Sequence, residues 1–148
     1  YFAMSAASIG LASLLNAKLV IGLGMRRLTG IALTCLTLVS LVFWAFLPVF
    51  SGVPPLWLFI AWQLAAFFCV GIIFGNLNAL SLEPLGHMAG LGAAFVGAMA
   101  TFMCLPLAWI VASRFDGTVY ALVAGFALLG LATCGMMVWT ERKNDPRP

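Results

Sequence analysis

The sequence predicts an all-α fold, a polytopic membrane bundle of five transmembrane helices. Three observations predict it. Of 148 residues, 64% are apolar or aromatic and only 7% are charged. The mean hydropathy is +1.14. The apolar residues fall into five runs, each near the roughly 20 residues that a helix needs to cross the hydrocarbon. An ordinary soluble domain is about 45–50% apolar and about 25% charged, and a short chain buries the smallest share of its surface. The composition therefore excludes a soluble enzyme, a nucleic-acid binder and a disordered chain. The runs are continuously apolar, whereas barrel strands alternate over about 10 residues. In hydrocarbon only a helix or a closed barrel satisfies every backbone group.

The first run covers residues 1–17 and ends at Lys18. It is slightly short at about 1.5 Å per residue, as expected of a chain that begins inside a helix. No basic segment or small-residue cleavage site precedes it, so it is not a complete signal peptide. With Tyr1 as first residue, the expectation is a fragment lacking an N-terminal part. The second run covers residues 28–50 and the third 56–82. Pro48 and Ser51-Gly52-Val53-Pro54-Pro55 separate them, a stretch that cannot remain helical. The fourth run covers residues 88–113, with Pro106 predicting a kink in its outer half. The fifth covers residues 117–140. Together they read as one membrane domain over residues 1–148.

Charge sets the expected orientation. Lys18, Arg26 and Arg27 lie between the first two runs, and Arg142, Lys143 and Arg147 follow the fifth. Five spans bring these six to one side, against Arg114 beside Asp116 on the other. Basic loops stay in the cytoplasm, so the chain should start outside and end inside, as in a bacterial inner membrane. Trp57 and Tyr120 then fall at the outer interface and Trp139 at the inner one. The net charge of +3 lies in three short clusters. They form no continuous basic face for nucleic acid, so the lipid bilayer is the expected partner. Cys35, Cys69, Cys104 and Cys134 sit singly in separate runs and read as small hydrophobes. No metal-ligand spacing, paired deep carboxylates or nucleophile triad is visible, so neither an enzyme nor a cofactor is expected.

Few polar groups lie at depth, and each one counts. Gln63 shares a helical face with Phe67, Val70, Phe74 and Asn78. That face reads either as a substrate-cavity wall, with aromatics for apolar compounds and amides to orient them, or as an interhelical hydrogen bond. Met99 and Met103 read as adaptable cavity lining or as core packing. Asn76 reads as helix-end chemistry and Asn16 as interfacial. Glu83, followed by Pro84, reads as an interfacial charge paired with a cytoplasmic arginine, or as a gate or protonation site with His87 close by. Small residues at Gly71, Gly75 and Ala79, and at Ala89, Ala93, Gly97 and Thr101, should let the third and fourth runs pack closely, with each other or with a missing helix.

Two stretches carry a resemblance. Phe74-Gly75-Asn76-Leu77-Asn78-Ala79-Leu80 runs on into Glu83-Pro84-Leu85-Gly86-His87-Met88-Ala89-Gly90. It resembles the end of helix ten, the following loop and the start of helix eleven in bicyclomycin-resistance-type (Bcr/CflA) drug/proton antiporters of the major facilitator superfamily. Asn16-Ala17-Lys18-Leu19-Val20 and Gly24-Met25-Arg26-Arg27-Leu28 are similar to the basic loop between helices eight and nine of that family. The resemblance covers the whole chain as helices eight to twelve. It implies part of the C-terminal half of a twelve-helix transporter that exports small apolar or amphipathic compounds against inward proton flow. It implies that Gln63, Phe67, Phe74 and Asn78 face the cavity. Lys18, Gly24, Arg26 and Arg27 would belong to a cytoplasmic gate, and Glu83, Pro84 and His87 to a hinge. Its partners would be substrate, protons and the missing N-terminal half. Leu91-Gly92-Ala93-Ala94 stand where the family tends to have small hydroxyl residues. The rival expectations are a small non-transport membrane subunit and a porter of the same superfamily for another metabolite.

Overall fold

The computed structural model describes residues 2–144, with the side chains of Phe2, His87 and residues 141–144 outside the description. Five helices follow one another: α1 (Phe2–Leu23), α2 (Met25–Phe46), α3 (Leu56–Leu82), α4 (Ala89–Ala112) and α5 (Tyr120–Asn144). A 3-10 turn at Leu47–Phe50 extends α2, and another at Glu83–Met88 joins α3 to α4. No strand occurs among the described residues. All five helices are long and apolar enough to cross a membrane.

The first connection departs from expectation. Residues 18–27 are not a basic loop, because α1 runs on through Lys18 to Leu23 and α2 begins at Met25. One residue breaks the helix. Gly24 has φ 78 and ψ 152, a conformation closed to residues with a Cβ. Its N–H still donates to the Val20 carbonyl at 2.9 Å, and its carbonyl accepts from Leu28 at 3.1 Å, so the turn leaves those groups paired. A lysine can stay on a membrane helix because its long stem lets the ammonium reach the headgroups.

Side-chain contacts give the helix directions. Ser5 meets Gln63 and Asn16 meets Asn76, so α1 and α3 run parallel. Phe43 stacks on Trp62 while Leu28 and Ala32 cluster with Ile72, so α2 runs against α3. Gly30 faces Met137 and Thr37 faces Gly130, so α2 also runs against α5. This up-down order gathers Lys18, Arg26, Arg27 and Glu83 at one end of the bundle. Arg114 and Asp116 stand at the other.

The core lies around α2. Trp62 stacks on Phe43 at 5.2 Å and meets the Phe126 ring edge-on at 5.6 Å, with Leu36, Leu47, Ala66 and Val123 completing the cluster. Lipid tails are as apolar as leucine, so close packing rather than water exclusion holds such helices together. At the end opposite Arg26 and Arg27, the α2–α3 and α4–α5 connectors interlock. Val119 donates its N–H to the Gly52 carbonyl at 3.1 Å. Gly52 has φ 80, and a Cβ there would lie 2.6 Å from the Tyr120 ring. Hydroxyls along the helices donate to carbonyls four residues back, as Thr29, Thr34, Thr101 and Thr133 do at 2.7–2.9 Å. That keeps them paired where no water reaches.

α4 stands apart. Of its residues only Gly92 is buried, against Leu85 of the preceding turn. At its far end Val111 packs on Gly125 of α5. The small faces of the third and fourth runs do not meet. Gly71 packs on Ala12 and Ile9 of α1, Gly75 lies near Asn16, and Gly97 faces open space.

Candidate functional site: an apolar groove beside a polar seam

The seam lies between α1 and α3. Gln63 Nε2 donates to Ser5 Oγ at 3.1 Å, and Ser8 Oγ donates to the Leu64 carbonyl at 2.8 Å. Further along, Gly71 lets the backbones close in, with an ideal Cβ there 2.9 Å from Ala12. At the far end Asn16 and Asn76 form a closed ring, each amide nitrogen donating to the other's oxygen at 2.9 Å. Asn76 is 2% exposed. The ring is possible because parallel helices bring both amides to one depth.

The groove lies on another side of α3. It is a cavity of about 1070 Å³ bounded by α3, α4 and α5 with α2 as floor. Val70, Ile73, Phe74, Leu77, Asn78 and Ser81 line it from α3, Val96, Ala100 and Cys104 from α4, and Leu122, Phe126, Leu129 and Thr133 from α5. Its wall is nearly all apolar, with a few hydroxyls and one amide. That composition suits an apolar or amphipathic molecule and offers too few donors for a sugar. α4 crosses the groove while touching its neighbours near its two ends. The turn that leads into α4 is irregular: Leu85 has φ −103 and ψ 17, and Met88 has φ −137 and ψ 43. Pro106 lies within α4 and removes one backbone donor there.

The predicted site residues distribute as follows. Phe74 and Asn78 line the groove. Phe74 is 69% exposed, and Asn78 Nδ2 donates to the Phe74 carbonyl at 3.1 Å. Gln63 bonds to α1, and neither it nor Phe67 lines the groove. The face that carries Gln63 thus meets α1 at one end of α3 and the groove at the other. Met99 and Met103 are exposed on α4 and do not line the groove, which takes Val96, Ala100 and Cys104 instead. Lys18 and Arg26 are exposed near the α1–α2 joint formed by Gly24, and Arg27 borders a second cavity between α2 and α5. Glu83 and Pro84 are exposed in the turn before α4. The side chain of His87, and the whole of Arg147, lie outside the described residues.

The Asn16–Asn76 ring was not anticipated. Asn16 reads as interfacial from the nearby Lys18, and Asn76 as helix-end chemistry. The available signal was that each stands at the same distance from the basic end on parallel helices. At the other end, Asp116 accepts the Thr118 N–H at 3.0 Å and the Thr118 hydroxyl. These two bonds hold the Asp116 carboxyl below its ordinary range, the hydroxyl contributing most. No protein-family model, curated protein or solved structure matches the chain.

Proposed function

We propose that the chain is the C-terminal part of a secondary active transporter, exporting small apolar or amphipathic compounds by proton antiport with alternating access. The groove carries this reading. A multi-helix membrane bundle has here a cavity of about 1070 Å³ within its span, walled mainly by branched aliphatic residues with a few aromatics and small residues, and carrying one amide. Hydrophobic walls with few polar groups bind apolar organic molecules. The resemblance of the α3–α4 junction to Bcr/CflA antiporters agrees with it. Chemically, Phe74 supplies apolar contact and Asn78 an orienting amide. The chain runs from outside to cytoplasm, with Lys18, Arg26, Arg27 and Glu83 at the cytoplasmic end. The N-terminal half supplies the opposite cavity wall and the proton-coupling groups.

The test is efflux of a fluorescent lipophilic dye by cells that express the complete transporter. Phe74→Ala and Asn78→Leu should each cut dye export severalfold at unchanged membrane levels, while Met103→Ala, off the groove, should not. Equal export by all three, at equal levels, overturns the reading. One observation favours a second reading, a membrane subunit seated on a larger complex: α4 presents nearly its whole surface outward. In that case no dye moves and the chain co-purifies with a fixed set of membrane partners.

A further inference from the structure

The geometry points to a binding site for an anionic phospholipid between α2 and α5 at the basic end. The slot there has a volume of about 460 Å³ and shares only Leu33 with the large groove. Small or narrow side chains make it: Gly30 and Cys35 from α2, Cys134 and Met137 from α5. A Cβ at Gly30 would come within 3.1 Å of the Met137 methyl, so any larger residue would fill the slot. Deeper in the bundle the seam closes, where a Cβ at Gly130 would lie 2.5 Å from the Thr37 hydroxyl. The slot therefore closes at its inner end, opens sideways past Ile31 and Cys35, and has Arg27 at its outer border.

Its mouth carries positive charge. Arg27 borders the slot from the first turn of α2 and is exposed, as is the neighbouring Arg26. Val138 lines the slot on α5. Arg142 stands four residues beyond Val138 on the same helix, one turn nearer the headgroups. Glu83 and Glu141 are the acidic residues at this end of the described chain.

The two halves of the site call for one kind of molecule. A guanidinium binds phosphate oxygens in pairs, and its bonds to an anion are among the strong ones. An apolar slot gains by excluding lipid-mobile contacts around an acyl chain, not by holding a free anion. A soluble phosphate would use the arginine and leave the slot unfilled. A neutral lipid would fill the slot and leave the arginine without a counter-charge. An anionic phospholipid satisfies both, and the bilayer presents it at high local concentration. Basic recesses between membrane helices have this chemistry in general. The inference does not rest on transport.

Native mass spectrometry of the detergent-solubilised protein tests it. Phosphatidylglycerol is titrated in one arm, phosphatidylcholine in a second and glycerol phosphate in a third. The expected result is a saturable first phosphatidylglycerol, bound at least about tenfold tighter than phosphatidylcholine, and no competition from glycerol phosphate. Arg27→Gln should remove that preference, and Arg27→Lys should keep part of it. Gly30→Leu should weaken phosphatidylglycerol binding with every charge in place. Arg27 is exposed, so its variants fold and carry the test if Gly30→Leu does not. Equal affinity for the two lipids, an unchanged preference in Arg27→Gln, or displacement by glycerol phosphate each overturns the proposal.

Discussion

A primary amide in hydrocarbon is costly until both its donor and its acceptor are matched, and the Asn16–Asn76 ring matches one of each on both residues. Removing one partner leaves the other orphaned. Asn76→Leu should therefore destabilise the bundle by about 1–2 kcal/mol, read as a shift in unfolding by a denaturing detergent. Asn16→Leu in the same background should cost little more. The resulting coupling should reach the upper end of the membrane range of about 0.6–1.7 kcal/mol. Additive losses would show that the ring does not hold α1 to α3. Asp116 gives a pH prediction at the same scale. Its carboxyl titrates below its ordinary range because Thr118 donates to the ionised form. A depressed carboxylate contributes order at pH values above its unfolded pKa. That contribution disappears as pH falls through the folded value. The carboxyl resonance of Asp116 should titrate with a midpoint below the usual value of about 3.9, and Thr118→Val should move it part of the way back, because the residue-118 N–H still donates.

Helices were legible because apolar run length is a physical necessity in a bilayer, and the five runs became five helices. Their joints were less legible. Lys18 read as a loop because charge usually marks the edge of a span, yet it lies within α1. What ends α1 is the backbone of Gly24, and in a chain with fifteen glycines no pattern singles that one out. Two glycines in this stretch should respond in opposite ways to the same change. Gly24 has φ 78 with ψ 152 and open space around a notional Cβ, so Gly24→Ala meets backbone strain alone and should cost about 1–3 kcal/mol. Gly22 has equal space but sits in helix, so Gly22→Ala should be neutral or stabilising by up to about 1 kcal/mol. Detergent-induced unfolding of the two variants checks both. The pairing of small faces was also hidden. Gly71 and Gly75 announce a close approach but not its partner, and periodicity is the same whether α1 or α4 answers it.

Among whole-molecule features, the up-down order of spans and the gathering of arginines at one end were readable from the sequence, since both follow from span count and loop charge. The groove was readable only in part. Phe74 and Asn78 were picked out, but Gln63 and Phe67 share their face and do not line it, because α1 covers that face near Gln63. Cys104 reads from the sequence as a small hydrophobe, and nothing in its run marks it as groove lining. If the groove admits substrate, α4 is the element that must move, since it has the least packing to break. This can be tested by pinning it. An ideal Cβ on Gly125 lies 3.8 Å from the Val111 Cβ, the usual separation across a disulfide of about 3.8 Å. On the proposed transport reading, Val111→Cys with Gly125→Cys in the complete protein should cross-link on oxidation, stop dye export, and recover it on reduction. Full export by a protein shown to be cross-linked would mean that α4 stays in place during transport.

The interlock of Gly52 with Val119 and Tyr120 makes the α2–α5 pair mechanically lopsided. At that membrane surface the two helices are fastened by a hydrogen bond and by a ring laid against a bare Cα. They are gripped again where Thr37 meets Gly130. Toward the arginines the same seam widens into a slot. The α2–α5 pair is thus built like a clasp, closed at one end and parted at the other. Parting the two helices from the slot end breaks none of these fastenings at first, whereas parting them from the Gly52 end must break all of them.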